Sequence, residues 1–224
     1  MITVSIVAFI VTALAAYLLG SIPTGFLVAK ARGLDIRSVG SGNIGATNVF
    51  RHLGVPAGVL VLVADAAKGW LAVAVAARLI LGWLFPAGGA ETREWLRICA
   101  GFSAILGHNY TCWLHFKGGK GVATSAGVLE ALAPWALLII FGVWLVVVAL
   151  SRFVSLASIA ASVTLPFAAW LTTRDAALTA ATALMTVLAV YKHRANIKRL
   201  LSGTESRFGR NKGRSAVAPP GSSA

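Results

Sequence analysis

The stretch HFKGGKGVATSAGVLEALAPW, residues 115–135, decides how the rest of the chain is arranged. It ends in a short apolar segment that runs into the next one through LAPW, where the proline can end or kink a helix. Whether residues 121–134 and 135–151 form one helix or two therefore fixes the direction in which every later segment runs. The same stretch raises a second question, because it sets two lysines and several glycines beside strongly apolar sequence.

The composition indicates a membrane protein that crosses the bilayer several times. Of the 224 residues, 58% are hydrophobic and 12% are charged, and the mean hydropathy is +0.81. Apolar segments recur at about 3–20, 54–84, 95–114, 121–134, 135–151, 153–172 and 175–191. The first segment has no Lys or Arg before Lys30, so we expect a retained helix rather than a cleaved signal peptide.

The distribution of basic residues favours seven spans. Lys and Arg number 20 against 7 Asp and Glu, a net charge of +13. With seven spans and an outside N-terminus, fifteen of the twenty basic residues face inward, including eight in the C-terminal tail. Fusing the fourth and fifth segments would send that tail outside. Because the helices leave no soluble basic face, nucleic-acid binding is excluded as an explanation of the charge.

The sequence therefore predicts an all-α integral membrane protein with seven transmembrane helices, an outside N-terminus and a cytoplasmic C-terminus. Residues 1–207 are expected to form a single membrane domain. Residues 208–224 are rich in Gly, Pro, Ser and charge, and we expect them to form a disordered cytoplasmic tail.

The first polar stretch on the predicted inner side is GSGNIGATNVFR, residues 40–51. Closely spaced glycines let backbone N–H groups converge on an anion. Ser41, Gly42 and Asn43 add donors, and Arg51 has the planar guanidinium suited to phosphate. Ser41 or Asn43 could also cap a short helix that carries Arg51. A plain connecting loop is the alternative, but the nearby arginine and a second such loop favour a phosphate site.

Residues 115–121 form that second loop. A helix beginning near Gly121 would point its positive end into the same cavity, with Lys117 and Lys120 beside free N–H groups. We predict that Gly118 and Gly119 let a reactant lie against the backbone. The spacing is not that of a P-loop, because Gly121 follows Lys120 where Ser or Thr is needed. The preference for positive charge on the inner side of a membrane would explain Lys117, but it does not explain why Lys120 lies between glycines.

Three further polar groups lie in or beside apolar segments. His193 and Asn196 share one face of the helix that leaves the last span, which could close the cavity or lie on anionic lipid. Asp65 and Lys68, three residues apart, predict a buried ion pair. A structural and a catalytic role are equally compatible with His108.

The sequence lacks the residue patterns that several common types of catalysis require. No His is followed five residues later by Asp, there is no Gly-x-Ser-x-Gly motif, and Cys99 and Cys112 have no metal-ligand spacing. We expect no metal and no cofactor. Any reaction must depend on the positioning of substrates and on electrostatic stabilisation.

Five motifs together resemble the bacterial acyl-phosphate:glycerol-3-phosphate acyltransferase family. They are GSIPTG, GSGNIGATNVFR, GHNYTCWLHFKGGKGVAT, VSLAS and HRANIKRLLSGTE, in that order from about Tyr17 to Arg207. The resemblance implies a multi-pass enzyme of the bacterial inner membrane with its active site facing the cytoplasm. It implies transfer of a fatty acyl group from acyl phosphate, rather than from acyl-CoA or acyl carrier protein, to the sn-1 hydroxyl of glycerol-3-phosphate. The products are lysophosphatidic acid and phosphate, and an expected partner is the enzyme that supplies acyl phosphate.

The resemblance also assigns residues. It implies that Ser41 and Arg51 bind glycerol-3-phosphate, that Lys120 is the lysine of the glycine loop, and that His193 and Asn196 are the polar pair of the last motif. Gly118 to Gly121 match the part associated with the phosphate of acyl phosphate, and either Ser155 or Ser158 joins the site. Direct attack by the glycerol hydroxyl is expected, without an acyl-enzyme, with His193 or a substrate phosphate oxygen as the base.

Two other functions fit the residues less well. A transporter or flippase for a phosphorylated small molecule also places glycines and helix ends near anions, but it usually has repeats and a site at mid-membrane. No repeat is visible here, and the polar motifs lie at one surface. A scaffold without catalysis would not need four polar clusters on one side.

Overall fold

A computed structural model describes residues 2–84 and 89–209, and within these ranges all regular structure is helical. The α-helices are α1 (Ile2–Ser21), α2 (Thr24–Lys30), α3 (Ala46–Leu53), α4 (Val55–Leu71), α5 (Ala77–Leu84), α6 (Ala90–Asn109), α7 (Val122–Leu132), α8 (Pro134–Ser151), α9 (Val154–Thr173), α10 (Ala176–Lys192) and α11 (Arg194–Leu201). Short 3-10 turns occupy Ile36–Ser38 and Cys112–Leu114, and a π-helical segment, Ala72–Ala76, joins α4 to α5.

The predicted break at LAPW is confirmed. Helix α7 ends at Leu132, and α8 begins at Pro134. Between them Ala133 leaves the helical region with φ −151° and ψ 69°. Proline lacks an N–H and fixes φ, so it starts a helix well but does not continue one. Each predicted apolar segment corresponds to a helix, although α6 begins and ends about five residues before the predicted 95–114.

Within the described residues, four helical stretches are long and apolar enough to cross a membrane by themselves: Ile6–Lys30, Val55–Ile80, Pro134–Ser151 and Val154–Thr173. Helices α10 and α11, bent by 56° at their junction, form a fifth stretch if they are taken together. Helix α7 has 11 residues, about 16 Å of helix, which is roughly half the thickness of the hydrocarbon layer.

Helices meet closely where glycines remove side chains from the interface. A Cβ on Gly20 of α1 would lie 2.1 Å from the Ala104 carbonyl oxygen of α6. A Cβ on Gly107 of α6 would lie 2.2 Å from the Tyr17 carbonyl oxygen of α1. On α7, a Cβ on Gly127 would lie 1.8 Å from the Ala66 oxygen of α4. Such backbone contact is the usual way in which helices associate in a membrane.

Two of the apolar clusters in the described chain position the parts that carry the site. The larger core joins α6 to α10 and includes Val128, Leu129, Leu165 and Met185. A smaller core beneath α2 and α3 includes Ile36, Ile44 and Val49. The smaller core fixes the glycine-rich loop 40–45 against α2, because the Ile44 carbonyl oxygen fills the space beside Gly25.

The chain folds back over the end of the bundle after α11. The Phe208 N–H donates to the Arg152 carbonyl oxygen at 2.7 Å, and the Arg207 guanidinium lies 5.1 Å from the centre of the Phe153 ring. Residues 202–209 therefore cover the region between α3 and α9. Residues 210–224, which make up nearly all of the predicted tail, lie outside the described residues.

Candidate active site

The loop at residues 40–45 is held rigidly by the side chain of Asn48. The Asn48 amide oxygen accepts from the Ser41 N–H at 3.2 Å, and its NH₂ donates to the carbonyl oxygens of Ile36 and Val39 at 3.2 and 3.1 Å. Gly42 has a φ of +66°, which glycine adopts without strain.

The predicted cap of α3 by Ser41 or Asn43 is wrong. Gly45 occupies the N-cap position, and no side chain caps the helix. The Asn43 side chain instead accepts from the Gly45 N–H at 2.8 Å, a local turn inside the loop. The N–H groups of Ala46 and Thr47 are consequently left without an acceptor in the described chain. They face outward at the positive end of α3.

Gly118 and Gly119, predicted to let a reactant lie against the backbone, use their N–H groups within the chain. The Gly118 N–H donates to the Asn109 carbonyl oxygen at 3.2 Å, and the Gly119 N–H donates to the His108 carbonyl oxygen at 3.0 Å. A Cβ on either glycine would lie 2.1 Å from an atom of His108. These glycines therefore let the loop pack against the C-terminal end of α6, whose last carbonyls need donors.

The free donors lie one step further along the loop. The N–H groups of Lys120 and Gly121, and those of the first three residues of α7, have no acceptor within the described chain. Gly121 ends the loop with a φ of +79°, and no side chain caps α7. The N-terminus of α7 thus presents unpaired donors directly after Lys120 in the chain, an arrangement suited to an anion.

Lys120 belongs to a continuous network of polar side chains from four parts of the chain. Its ammonium donates to the Asn196 amide oxygen at 2.5 Å, and the Asn196 NH₂ donates to Glu205 at 2.6 Å. Glu205 also accepts from the Ser155 hydroxyl at 2.7 Å and from the Arg199 guanidinium at 2.6 Å. Burial alone would raise the pKa of Glu205, but these hydrogen bonds hold its pKa below the ordinary value.

Arg51 borders the same network from α3. Its guanidinium donates to the Ser206 carbonyl oxygen at 3.2 Å, and it lies within electrostatic range of Glu205 and Arg199. Burial lowers the pKa of Arg51 from its ordinary value, yet an arginine stays charged at any physiological pH. Arg51 therefore adds a fixed positive charge that has no carboxylate of its own.

The pKa of Lys120 is lowered to about 8, chiefly because burial disfavours the charged ammonium. Glu205 opposes this effect, whereas the positive charges of Arg199, Arg51 and Lys192 add to it. A bound anion would offset this repulsion and stabilise the charged form of Lys120.

His193 lies at the junction of α10 and α11, buried and within electrostatic range of Lys120. Its Nδ1 lies 2.8 Å from the Ala189 carbonyl oxygen. In the neutral ring Nδ1 therefore donates, which leaves Nε2 without a proton. Of the two serines left open by the sequence, Ser155 joins the network. Ser158 donates to the Val154 carbonyl oxygen at 2.9 Å and accepts from Trp144 at 3.2 Å.

The structure thus brings Arg51, Lys120, His193 and Asn196 together, whereas the exposed Ser41 and Lys117 make no side-chain contact with them. Sequence reasoning missed Glu205. Glu205 is the last letter of the quoted motif HRANIKRLLSGTE, and a lone acid ending a strongly basic motif was the available signal.

The predicted ion pair of Asp65 and Lys68 is confirmed. Their charged atoms lie 2.9 Å apart, and both side chains are almost fully buried. His108 Nδ1 lies 3.6 Å from the same carboxylate, which is beyond hydrogen-bond distance. Among residues 2–84 and 89–209, no three His, Cys, Asp or Glu side chains are grouped so as to hold a metal ion.

Comparison with known proteins gives consistent matches over nearly the whole chain. The sequence model of the family described as glycerol-3-phosphate acyltransferase matches residues 10–203. A glycerol-3-phosphate acyltransferase of Geotalea daltonii is 45% identical over 201 residues, which cover 90% of this chain and 98% of that protein. One of Thermosynechococcus vestitus is 45% identical over 202 residues, which cover 90% and 95%.

Two solved structures are also similar. Both are crystal structures of PlsY (YgiH), an integral membrane glycerol 3-phosphate acyltransferase. The glycerol 3-phosphate form has a TM-score of 0.79 at 40% identity and covers 90% of this chain and 96% of that chain. The lysophosphatidic acid form has a TM-score of 0.76 at 39% identity, with coverages of 92% and 95%.

Proposed function

This chain belongs to the glycerol-3-phosphate acyltransferase family, and on that premise we propose that its acyl donor is acyl phosphate. The protein is an integral membrane acyltransferase of glycerol-3-phosphate. The proposed reaction transfers a fatty acyl group to the sn-1 hydroxyl and releases lysophosphatidic acid and phosphate, an early step of phospholipid synthesis. A transporter for a phosphorylated molecule is not supported by this family membership.

The observation that carries the proposal is the network of Arg51, Lys120, Asn196, Glu205 and Ser155. It places cations and unpaired backbone donors together, and its one hydroxyl, that of Ser155, donates to Glu205, a carboxylate that is a weak base because its pKa is held below the ordinary value. Acyl phosphate is a mixed anhydride with a good leaving group, so it needs no acyl-enzyme. Two substrates that both carry phosphate repel each other, and cations that hold both phosphates remove this barrier.

In the proposed step the glycerol hydroxyl oxygen attacks the acyl carbon directly. A new ester bond forms, the bond from the acyl carbon to the phosphate oxygen breaks, and phosphate leaves with the electron pair. His193 Nε2 could accept the hydroxyl proton, but the imidazolium so formed would be buried near Lys120. A phosphate oxygen of the substrate accepts the proton without adding positive charge. We therefore favour substrate phosphate as the base, with His193 as a hydrogen-bonding residue.

The proposed site takes its residues from both glycine loops and the C-terminal motif. Lys120 and Arg51 act directly on the phosphates, together with the N–H groups of Lys120 and Gly121. Ser41, Gly42 and Asn43 bind glycerol-3-phosphate from the α3 side, and Asn196 and Ser155 orient the network. Ser158 and Lys117 remain predictions that no contact supports.

The proposed topology has seven spans, an outside N-terminus and a cytoplasmic active site in a bacterial inner membrane. The positions of fifteen of the twenty basic residues support it. Helix α7 is short, but it packs against α4 through Gly127 rather than against lipid alone. Residues 1–207 form one domain in this proposal, residues 208–224 are its cytoplasmic tail, and the enzyme that makes acyl phosphate is its expected partner.

One assay tests the proposal. Purified protein is given glycerol-3-phosphate with acyl phosphate, acyl-CoA or acyl carrier protein thioester, and lysophosphatidic acid and free phosphate are measured. We expect turnover with acyl phosphate alone. Arg51→Ala and Lys120→Ala should lose at least about a hundredfold in kcat/KM while they still extract as folded protein. Turnover with acyl-CoA alone would overturn the donor, and full activity of both variants would overturn the site.

A further inference from the structure

Lys192, the last residue of α10, is a cation that the proposed reaction has not yet used. Its ammonium donates to the Asn109 carbonyl oxygen at 2.8 Å and lies 4.5 Å from the centre of the Tyr110 ring. The same Asn109 oxygen accepts the Gly118 N–H at 3.2 Å. Two donors on one oxygen are close neighbours, so the Lys192 ammonium lies directly beside the glycine loop.

No carboxylate in the described part of the chain neutralises Lys192. Arg37, Lys68, Arg97 and Arg199 each pair with an acid, whereas Lys192 has only a carbonyl oxygen and an aromatic face. The side chain is only partly exposed. An ammonium has three protons to donate, and one carbonyl oxygen uses only one of them.

The three unpaired cations of the site have a definite order. Lys120 lies within electrostatic range of both Arg51 and Lys192. Arg51 donates to the Ser206 carbonyl oxygen, next to Glu205, whereas Lys192 donates to the Asn109 carbonyl oxygen at the end of α6. Lys120 is therefore the central cation, with Arg51 and the Glu205 network on one side and Lys192 on the other.

We propose that Lys192 binds the phosphate group of the acyl donor, while Arg51 binds the phosphate of the acceptor and Lys120 lies between them. This inference rests on the proposed function, because it needs two substrates that each carry a phosphate. The donor phosphate then lies against Lys192 and the free N–H groups that start α7. The acceptor phosphate lies against Arg51 and α3. The acyl carbon and the glycerol hydroxyl meet at Lys120.

Capping of α6 is the competing explanation of Lys192. A cation at the C-terminus of a helix is stabilising, and the Asn109 oxygen belongs to the last turn of α6. A cap would affect stability and would change the apparent affinity for both substrates together. A phosphate ligand would change the affinity for one substrate alone, so the two explanations are separable.

The experiment measures steady-state kinetics of Lys192→Met, Lys192→Arg and Arg194→Met beside the wild type, each substrate being varied at a saturating concentration of the other. Methionine keeps the length and the apolar stem of lysine without the charge. Arg194 is the matched control, because it is an exposed cation two residues away whose contacts are to Tyr191.

For Lys192→Met we expect KM for acyl phosphate to rise about tenfold, with KM for glycerol-3-phosphate within about twofold and the melting temperature unchanged. Lys192→Arg should recover most of the loss, and Arg194→Met should resemble the wild type. Inorganic phosphate, the product that leaves this subsite, should also inhibit Lys192→Met less strongly as a competitor of acyl phosphate.

Three results would overturn the inference: an equal rise in both KM values, a lower melting temperature with unchanged KM values, or equal effects of Lys192→Met and Arg194→Met. Its failure is distinct from failure of the proposed function. If the wild type does not turn over acyl phosphate at all, the proposed donor is wrong. If the wild type does so and Lys192→Met keeps its KM for acyl phosphate, only the assignment of Lys192 is wrong.

Discussion

At the scale of single residues, Glu205 orients the polar side chains of a strongly basic site. Arg199 is paired, and Asn196 and Ser155 are oriented by hydrogen bonds to the same carboxylate. Lys120 is held in turn through Asn196. Arg51, Lys120, His193 and Asn196 were all predicted from residue type and motif, because phosphate chemistry needs such groups. Glu205 was not predicted, because a carboxylate near a phosphate site is unfavourable until its partners are known.

Deprotonation of Lys120 should lower the activity at alkaline pH. With a pKa of about 8, its ammonium is fully present only well below pH 8 and is lost as the pH rises through that value. We expect kcat/KM for glycerol-3-phosphate to fall above roughly pH 8, by about tenfold for each further unit. Bound phosphate stabilises the ammonium, so kcat should fall only at a higher pH. A flat kcat/KM profile from about pH 7 to 9.5 would contradict this assignment.

Removing the charge of Glu205 should weaken the whole hydrogen-bond network around it rather than a single contact. Glu205→Gln keeps the shape but weakens the hydrogen bonds from Arg199, Asn196 and Ser155, and it leaves Arg199 without its acid. We expect kcat/KM to fall at least about a hundredfold. Glu91→Gln is the matched control, because Glu91 is an exposed carboxylate in the first turn of α6. Similar activities of the two variants would argue against an organising role.

At the scale of elements, the glycine loops have a different physical role from the one their spacing indicates. Glycine clusters predict approach of a ligand to the backbone, and Gly121 with the start of α7 keeps free donors for it. Gly118 and Gly119 instead allow approach of another part of the protein, the end of α6. A sequence shows that side chains are absent from a position. It does not show whether a ligand or another helix fills the space.

Alanine at Gly118 should move the loop, because its methyl group would overlap the His108 carbonyl oxygen. We expect Gly118→Ala to lose about tenfold or more in kcat/KM, since a shift of one ångström in the position of Lys120 is costly. Gly142→Ala in α8 is the control, because no atom lies within 4 Å of the added Cβ. Retained activity of Gly118→Ala with a normal KM would show that the loop can adapt.

At the scale of the whole molecule, hydropathy and charge predicted the helices better than they predicted the count of spans. Every predicted apolar segment is a helix, because apolar runs in lipid have to satisfy their backbone hydrogen bonds within the segment. The count depends on α6 and α7, which are too polar or too short to meet a simple rule. Their burial against other helices, through Gly107 and Gly127, could not be inferred from one segment at a time.

The proposed topology can be tested by labelling single cysteines in intact cells. In a background with Cys99 and Cys112 replaced by serine, Thr173→Cys at the end of α9 should react with an impermeant maleimide added outside. Ser202→Cys, just after α11, should react only after the cells are opened. Labelling of both positions from the outside would contradict the cytoplasmic location of the active site.

The contact of α1 with α6 has a consequence for how fatty chains reach this enzyme. At Gly20 and Gly107 the two backbones touch, which leaves no gap for a hydrocarbon tail to slip through. Because α1 and α6 are in direct backbone contact there, the acyl chain of the donor must enter from the bilayer between other helices of the bundle. The entry path of the acyl chain should therefore be sought at helix interfaces whose backbones lie further apart.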